Sequence, residues 1–229
     1  MEKQSELLSN QEEPRGRIEL RISPSVIKRM ALYLNTLEKM GKKHEGSFFI
    51  SSKSIAEHSG VKAVQVRKDF SRFGTFGRPG VGYDAHNLKQ QIIKILNLTK
   101  NVGIAFIGIG RLGSALLRYY NQRFHGREHG YYEPRALFDN DPEVVGRQLE
   151  GLEILPIDTL AETAAEKNIE IAVLTVPAEN AQQVAQICVE TGIQAILNFA
   201  PVVLNLPREI KVQNVDLSAE LEHLGFYLH

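Results

Sequence analysis

A glycine turn between an apolar strand and a helix constrains this chain most. Residues 108–113 read GIGRLG, which matches G-x-G-x-x-G, and they lie between the apolar run VGIAFI and the helix-forming segment SALLRYY. Gly108 permits the tight turn, Gly110 lets the backbone approach a pyrophosphate, and Gly113 allows close contact between helix and strand. The free N–H groups and the helix dipole then favour an anion. The predicted dinucleotide contacts of this turn are Gly108, Ile109, Gly110, Arg111, Leu112 and Gly113.

A second apolar strand, ALFD, ends in an acidic residue. Asp139 follows the last glycine of the motif by 26 residues, and the polar loop NQRFHGREHGYYEP accounts for this long interval. The Asp139 carboxylate can accept hydrogen bonds from ribose hydroxyls and would repel a 2′-phosphate. The sequence therefore favours NADH and NAD⁺ as cofactors over their 2′-phosphorylated forms.

From Val102 onwards, strands alternate with helices. The segments VGIAFIG, ALFD, IAVLTV and QAILNF are apolar strands, and helical segments lie near 111–122, 158–167 and 178–191. This alternation predicts a parallel sheet covered on both faces, whose ligands bind at the carboxyl ends of the strands. Ordinary strand-to-helix turns would explain the residues at those ends equally well. The candidate cofactor contacts there are Thr175, Val176, Pro177, Asn198, Phe199, Ala200 and Pro201.

The net charge of zero hides an asymmetry along the chain. Residues 1–85 hold 15 basic and 10 acidic residues, a net of +5, and residues 86–229 have a net of −5. A basic first part predicts a polyanionic partner for that part alone. Chance is the alternative explanation of a swing of this size.

The basic part has the spacing of a helix-turn-helix. A first helix is predicted from Ser23-Pro24 to Gly41, followed by a short strand at 48–50. If Ser52 is the first position of the motif, Ile55, Ala56 and Gly60 occupy its apolar, small and turn-glycine positions. Asp69 occupies a later core position that is usually apolar, with Phe70 beside it.

The second helix of the motif, predicted over residues 62–73, has two different sides. Helical projection groups Ala63, Val66, Phe70 and Phe73 on one side, and it groups Lys62, Gln65, Lys68, Asp69 and Arg72 on the other. Such a helix suits the major groove, and Arg78 in the hairpin GTFGRPGVGY suits the minor groove. A solvated charged face is the alternative. The predicted DNA-binding residues are Lys62, Gln65, Arg67, Lys68, Arg72 and Arg78.

The chain lacks the sequence features of an enzyme. A dehydrogenase needs a proton donor or acceptor beside the nicotinamide and a second domain for its substrate. The sheet uses all of the residues after Val102, and the seven histidines are scattered. His125 and His129 lie in a loop-like stretch, so no metal site is predicted, and Cys188 is expected to be a buried thiol. No secretory signal or membrane-spanning run is visible, which predicts a cytoplasmic protein.

Five segments resemble the Rex family of redox-sensing transcriptional repressors. They are QVRKDFSRFGTFGRPGVGY, GIGRLGSALLRYY, LTVP, ILNFAPVVL and VDLSAELEHLGFYL. The resemblance implies a homodimer whose subunits have an N-terminal winged helix and a C-terminal Rossmann domain. It also implies that NADH releases double-stranded operator DNA, whereas NAD⁺ permits binding.

The resemblance also assigns roles to single residues. By matching, Tyr119 lies near the nicotinamide and Asp216 is its partner across the dimer, where the two form an interdomain switch. Related sequences can carry an arginine in the first helix that pairs with this aspartate, and this chain has Asn35 there. The last helix would swap onto the neighbouring subunit. Its leucines at 217, 221, 224 and 228 have helical spacing, with packing on its own domain as the alternative.

The predicted fold class is therefore α/β. It comprises a winged helix-turn-helix domain, a Rossmann-type doubly wound parallel sheet and a swapped C-terminal helix. The expected organisation is a disordered arm at 1–17, the winged helix at 18–85, a linker helix at 86–100, the Rossmann domain at 101–216 and the exchanged helix at 217–229. The predicted function is a repressor that senses the NADH/NAD⁺ ratio. Two alternatives stay open: an NAD-dependent oxidoreductase with an accessory N-terminal domain, and a CoA- or nucleotide-binding module of the same sheet type.

Overall fold

A computed structural model describes residues 22–41, 48–74, 76–124 and 131–228. The chain divides into two compact units, Met1–Leu98 and Thr99–His229. The predicted arm at 1–17 and the pair His125 and His129 lie outside the described residues.

The first unit is a winged helix. Its helices and strands follow one another as α1 (Pro24–Gly41), β1 (Phe49–Ile50), α2 (Ser52–Ser59), α3 (Ala63–Ser71), β2 (Gly77–Arg78), β3 (Gly82–Asp84) and α4 (Ala85–Ile95). The three strands form an antiparallel sheet in the order β1-β3-β2. Helices α2 and α3 are thus the helix-turn-helix, and the β2–β3 hairpin is the wing.

Local capping explains where these helices begin and end. The Ser51 hydroxyl accepts a hydrogen bond from the Ser54 amide at 3.1 Å, which starts α2. Gly60 ends α2 with a φ of 69°, a left-handed conformation that suits glycine. The Asp84 carboxylate accepts from the Asn87 amide at 2.8 Å, so α4 begins at Ala85. The segment predicted as a linker helix, 86–100, is helical only as far as Ile95, and α4 packs on α1 within the first unit.

The core of the first unit is built on aromatic rings. Phe70 of α3 packs edge-to-face against Tyr33 of α1, with centroids 5.3 Å apart, and against Tyr83 of β3 at 5.2 Å. Val66 is also fully buried, so the predicted apolar side of α3 is confirmed at these two positions. The polar side is not as predicted: Asp69 is buried rather than presented to solvent.

The second unit is a doubly wound α/β sheet. It comprises β4 (Val102–Ile107), α5 (Arg111–Phe124), β5 (Tyr132–Asp139), β6 (Gln148–Leu149), β7 (Leu152–Pro156), α6 (Leu160–Glu166), β8 (Ile169–Leu174), α7 (Ala178–Glu190), β9 (Ala195–Asn198), β10 (Lys211–Asn214) and α8 (Leu217–Gly225). The strand order is β10-β9-β8-β4-β5-β7-β6, and every pairing is parallel except β6 with β7. Apart from that antiparallel edge, this is the Rossmann order. The sequence pattern misses β6, β7 and β10, which are short or partly exposed.

Successive side chains of the central strand β4 pack alternately on the two faces of the sheet. Ala105 and Ile107 pack into the cluster that includes residues of α6 and α7. Ile104 and Phe106 pack on the other face, with Leu117 of α5. Cys188 is buried in the first cluster, as predicted, and burial raises the pKa of its thiol to about 12. Both faces of the sheet are therefore covered, and ligand access is left to its carboxyl edge.

Helix α8 keeps its apolar side in solvent. Asp216 caps the helix by accepting from the amides of Ser218 and Ala219 at 2.9 and 3.1 Å. No residue of α8 is buried, and its leucines and the aromatic residues after it are 57–79 % exposed. The helix ends at Gly225, earlier than the predicted 229, and it does not bury its leucines on its own unit. Within the described residues, no helix is long and apolar enough to cross a membrane.

Candidate nucleotide pocket and DNA-binding surface

A pocket of about 490 Å³ lies where β4, β5 and β8 end. The chain leaves β4 towards β5 on one side and later returns to β8 on the other, so this edge is the topological switch point of the sheet. The pocket is lined by Ile107, Gly108, Gly110, Leu112, Asp139, Asn140, Asp141, Val144, Ile157, Thr175, Val176, Pro177, Asn180, Val184, Phe199 and Pro201.

The glycine turn has three distinct positions. Gly108 has a φ of 92°, and a Cβ on it would lie 2.9 Å from the Thr175 carbonyl carbon. A Cβ on Gly113 would lie 2.7 Å from Thr175 Oγ1 and closer still to the Gly108 carbonyl oxygen. A Cβ on Gly110 would meet nothing within 4 Å. The predicted tight turn and close helix–strand contact are confirmed, and Gly110 leaves open space on the pocket side.

The Asp139 carboxylate is held in place by backbone amides. It accepts from the amide of Ile109 at 2.6 Å, from Asn140 at 2.7 Å and from Asp141 at 2.9 Å. A carboxylate offers about four acceptor sites, so capacity remains for a ligand hydroxyl. These bonds aim Asp139 into the pocket beside the glycine turn. The pocket therefore fits a dinucleotide: Gly110 leaves room for a pyrophosphate, and Asp139 can accept from a ribose.

Of the seven residues predicted at the other strand ends, five line the pocket and two, Asn198 and Ala200, do not. Thr175, Val176, Pro177, Phe199 and Pro201 line the pocket together with the turn. The Thr175 hydroxyl also donates to the Gly108 carbonyl at 2.6 Å, which ties β8 to the turn. Taking all of the predicted cofactor contacts together, those that do not line the pocket are Ile109, Arg111, Gly113, Tyr119, Asn198 and Ala200.

Asn198 has a different task from the one predicted. Its side chain is buried, and Nδ2 donates to the carbonyls of Ala200 and Val202 and to Asn214 Oδ1 at 3.2, 2.9 and 3.0 Å. Its Oδ1 accepts from the Ala200 amide at 3.0 Å. Both polar atoms of the Asn198 amide therefore have partners within the protein. Their bonds to Ala200 and Val202 hold the loop that follows β9 in place. Asn198 shapes the pocket edge without facing the pocket.

Sequence reasoning missed seven residues of the lining. Ile107 is the last residue of β4, directly before the glycine turn. Asn140 and Asp141 follow the strand-end acid directly, and the strand-end rule extended by two residues would have found them. Val144, Ile157, Asn180 and Val184 come from loops and helices with no motif of their own. Only the tertiary fold brings these four side chains to the pocket.

Tyr119 and Asp216 each have a local partner. Tyr119 lies on α5, is 55 % exposed and contacts the ring of Tyr120, with centroids 5.9 Å apart. Asp216 is exposed and caps α8. The hypothesis that the two meet across a dimer stays a prediction.

The exposed side of α3 is strongly basic. The described side chains of Lys62, Arg67, Lys68 and Arg72 are all exposed, and Arg78 is exposed on the wing. Arg67 Nη1 donates to the Ser52 hydroxyl at 2.9 Å, which ties α3 to the start of α2. Opposite this side, Val66 and Phe70 lie in the core. The surface therefore has the charge and the support expected of a recognition helix.

Gln65 and Asp69 belong to a buried network. Arg29 of α1 donates to Asp69 through Nε at 2.5 Å and Nη2 at 2.8 Å, Tyr33 Oη donates at 2.9 Å, and Gln65 Nε2 at 2.7 Å. Burial acts to raise the pKa of Asp69, but the hydrogen bonds from Arg29, Gln65 and Tyr33 outweigh it and hold that pKa below its usual value. Asp69 is therefore an ionised carboxylate inside the unit.

A winged helix with a basic recognition helix, followed by a Rossmann unit with an open glycine-turn pocket, defines a DNA-binding regulator that responds to a nucleotide. Family models match both units: one described as "Putative DNA-binding protein N-terminus" covers residues 21–71, and one described as "CoA binding domain" covers residues 99–202. The chain is 42% identical to the redox-sensing transcriptional repressor Rex of Desulfitobacterium hafniense, over 90% of this chain and 95% of that protein. The chain belongs to the Rex family of redox-sensing transcriptional repressors.

Two solved structures of a Rex-family repressor, RSP, have the same fold along nearly the whole chain. The complex of RSP with β-NAD⁺ and operator DNA superposes with a TM-score of 0.79 at 34% identity, covering 90% of this chain and 92% of that one. The complex with β-NADH gives 0.76 at 32% identity, covering 90% and 94%. The predicted family is confirmed, and so is the predicted fold of a winged helix-turn-helix followed by a Rossmann-type sheet, whereas exchange of the C-terminal helix stays a prediction. The relatives are named as transcriptional repressors rather than enzymes.

Proposed function

We propose that this chain represses transcription by binding operator DNA through α3 and the wing, and that it releases the DNA when its pocket holds NADH. One observation carries the proposal: the chain matches, over 90% of its length, a Rex-family repressor solved with both β-NAD⁺ and operator DNA. The geometry of the pocket and of α3 supplies the residues for each ligand. We place this function in the cytoplasm.

The pocket would hold the coenzyme by its pyrophosphate and adenosine ribose. The open side of Gly110 and the first amides of α5, which have no intrahelical acceptor, form the anion site. Asp139 would accept from the ribose hydroxyls. Asp141 also lines the pocket, so the two carboxylates disfavour a 2′-phosphate. We therefore assign the site to NAD⁺ and NADH.

The nicotinamide half would lie along the ends of β8 and β9. Val176, Pro177, Phe199 and Pro201 line that part of the pocket, and Tyr119 lies on the neighbouring helix α5. Bound nicotinamide supplies a positive ring charge in its oxidised form that its reduced form lacks. The chain can respond to this difference only if its DNA-binding and DNA-releasing arrangements have different affinities for the two forms.

The first unit would read DNA with α3 in the major groove. Lys62, Arg67, Lys68 and Arg72 would contact phosphates and base edges, while Arg78 on the wing reaches the minor groove. Phosphate contacts of this kind make the affinity depend steeply on salt. The basic side of α3 is thereby assigned to the operator.

A second copy of the chain would cover α8. Complete burial of one leucine stabilises by about 1.5–3 kcal/mol, and several exposed leucines lie on this one helix. A homodimer that exchanges α8 buries them and brings Asp216 of one subunit towards Tyr119 of the other. When the pockets hold NADH, the two Rossmann units close, so the recognition helices no longer match half-sites one or two helical turns apart.

The experiment that tests the function is an operator-binding titration at fixed total coenzyme and varied NADH/NAD⁺ ratio. We expect operator affinity to fall as the ratio rises. Indifference to the ratio, in protein that binds both the operator and NADH, would reject the sensor. Calorimetry with CoA is the control for the "CoA binding domain" description. Stronger binding of CoA than of NADH would overturn the assignment of the pocket.

A further inference from the structure

A carboxylate buried in the recognition helix connects α3 to α1. Asp69 is 0 % exposed and lies in the last turn of α3, a helix of nine residues. Removing a carboxylate from water is unfavourable, and a buried ion pair commonly contributes less stability than apolar residues of the same volume. Stability is therefore a weak reason for an aspartate at a position where a helix-turn-helix usually has an apolar residue.

The hydrogen bonds to Asp69 fix the orientation of α3 relative to α1. The guanidinium of Arg29 meets both carboxylate oxygens, one through Nε and one through Nη2, across 40 residues of sequence. A planar guanidinium and a planar carboxylate form two parallel bonds in only one relative orientation. Tyr33 adds a third bond from the next turn of α1. Because these donors come from one helix, they determine the rotation of α3 about its own axis relative to α1.

Gln65 lies one turn before Asp69 on α3 and donates to the same carboxylate. That bond directs one N–H of the Gln65 amide into the unit and away from solvent. The Gln65 side chain is half-buried, so its exposure alone would be compatible with a contact to a DNA base. Its Nε2 nevertheless donates a hydrogen bond to the buried Asp69 carboxylate.

We propose that Asp69, with Arg29, Tyr33 and Gln65, positions the recognition helix for its operator, and that Gln65 acts through Asp69 instead of reading a base. The proposal rests on the proposed DNA-binding function of α3. Side chains reach about 6 Å from a helix axis, so a rotation of about 20° moves their ends by about 2 Å. That displacement is enough to break a base-edge hydrogen bond. Loss of the network should therefore reduce operator affinity more than affinity for random DNA.

Asp69→Asn separates positioning from electrostatics. The substitution keeps the size of the side chain and removes a negative charge near the DNA, so electrostatics alone would leave DNA binding unchanged or stronger. We expect at least a tenfold loss of operator affinity with unchanged affinity for random DNA. The slope of log affinity against log salt should also stay unchanged, because no phosphate contact is lost. Equal operator affinity of variant and wild type would overturn the proposal.

Gln65→Ala provides a second test that leaves the Arg29 and Tyr33 bonds in place, and so does not depend on the folding of the Asn variant. If Gln65 is a positioning residue, operator affinity falls by a similar factor for every single-base operator variant. Relaxed discrimination at one base pair would show that Gln65 reads a base, which contradicts the proposal. Gln91→Ala on α4 is the matched control and should change neither readout.

If wild-type protein binds no operator with either coenzyme, the proposed function fails; if it binds and both variants bind equally well, only this inference fails.

Discussion

Alanine at Gly110 and at Gly113 should separate coenzyme binding from stability within a single turn. At Gly113 the added Cβ would lie 2.7 Å from Thr175 Oγ1 and nearer still to the Gly108 carbonyl, whereas at Gly110 it would meet nothing within 4 Å. Gly113→Ala should therefore damage the fold as well as the pocket. Gly110→Ala should weaken only the binding of the pyrophosphate and leave the stability of the fold unchanged.

The expected magnitudes follow from these distances. Ordinary contact of 3.4 Å to Thr175 Oγ1 requires a movement of about 0.7 Å, and the nearer Gly108 carbonyl, which is backbone, requires more. Overpacking of this kind costs about 1–3 kcal/mol, of which the better helix propensity of alanine offsets up to about 1 kcal/mol. Gly110 has no positive φ, so alanine there should leave stability equal or raise it by up to about 1 kcal/mol.

Two measurements on each variant check this reasoning. Thermal unfolding followed by circular dichroism reports stability, and the increase in NADH fluorescence on binding reports affinity; the chain has no tryptophan to interfere. Gly110→Ala should unfold like the wild type and bind NADH at least tenfold more weakly, a change of about 1.4 kcal/mol. Unchanged NADH affinity in Gly110→Ala would refute the placement of the pyrophosphate. Wild-type stability in Gly113→Ala would refute the packing argument.

Three further predictions concern the DNA surface, the ribose site and α8. Lys68→Ala combined with Arg72→Ala should abolish operator binding and keep NADH affinity, with Lys94→Ala on α4 as an electrostatic control that changes neither in the same gel-shift and fluorescence titrations. Asp139→Ala should weaken NADH binding about tenfold or more and reduce the preference over NADPH; equal NADH affinity would remove Asp139 from the site. Leu221→Asp should shift sedimentation from dimer to monomer, because it places a charge on the exposed apolar side of α8, and an unchanged dimer would mean that α8 is not exchanged.

Features encoded in a few neighbouring residues could be predicted from the sequence. The glycine motif, the strand before it and the helix after it form one local unit, and the tight geometry at Gly108 and Gly113 follows from chemistry that no other residue provides. The same is true of the serine cap and turn glycine of the helix-turn-helix. Burial of Val66 and Phe70 follows from helical periodicity alone.

What only the tertiary structure decided depends on partners that lie far away in sequence. Projection places Asp69 on the charged side of α3, but Arg29 and Tyr33 of α1 stabilise its carboxylate inside the unit, and no local pattern reports an acceptor 40 residues from its donor. Asn198 faces inwards for a similar reason, since its amide binds the loop after β9 and the next strand. Periodicity and turn chemistry are properties of short segments, whereas the partner of a buried polar group is set by which segments the fold brings together.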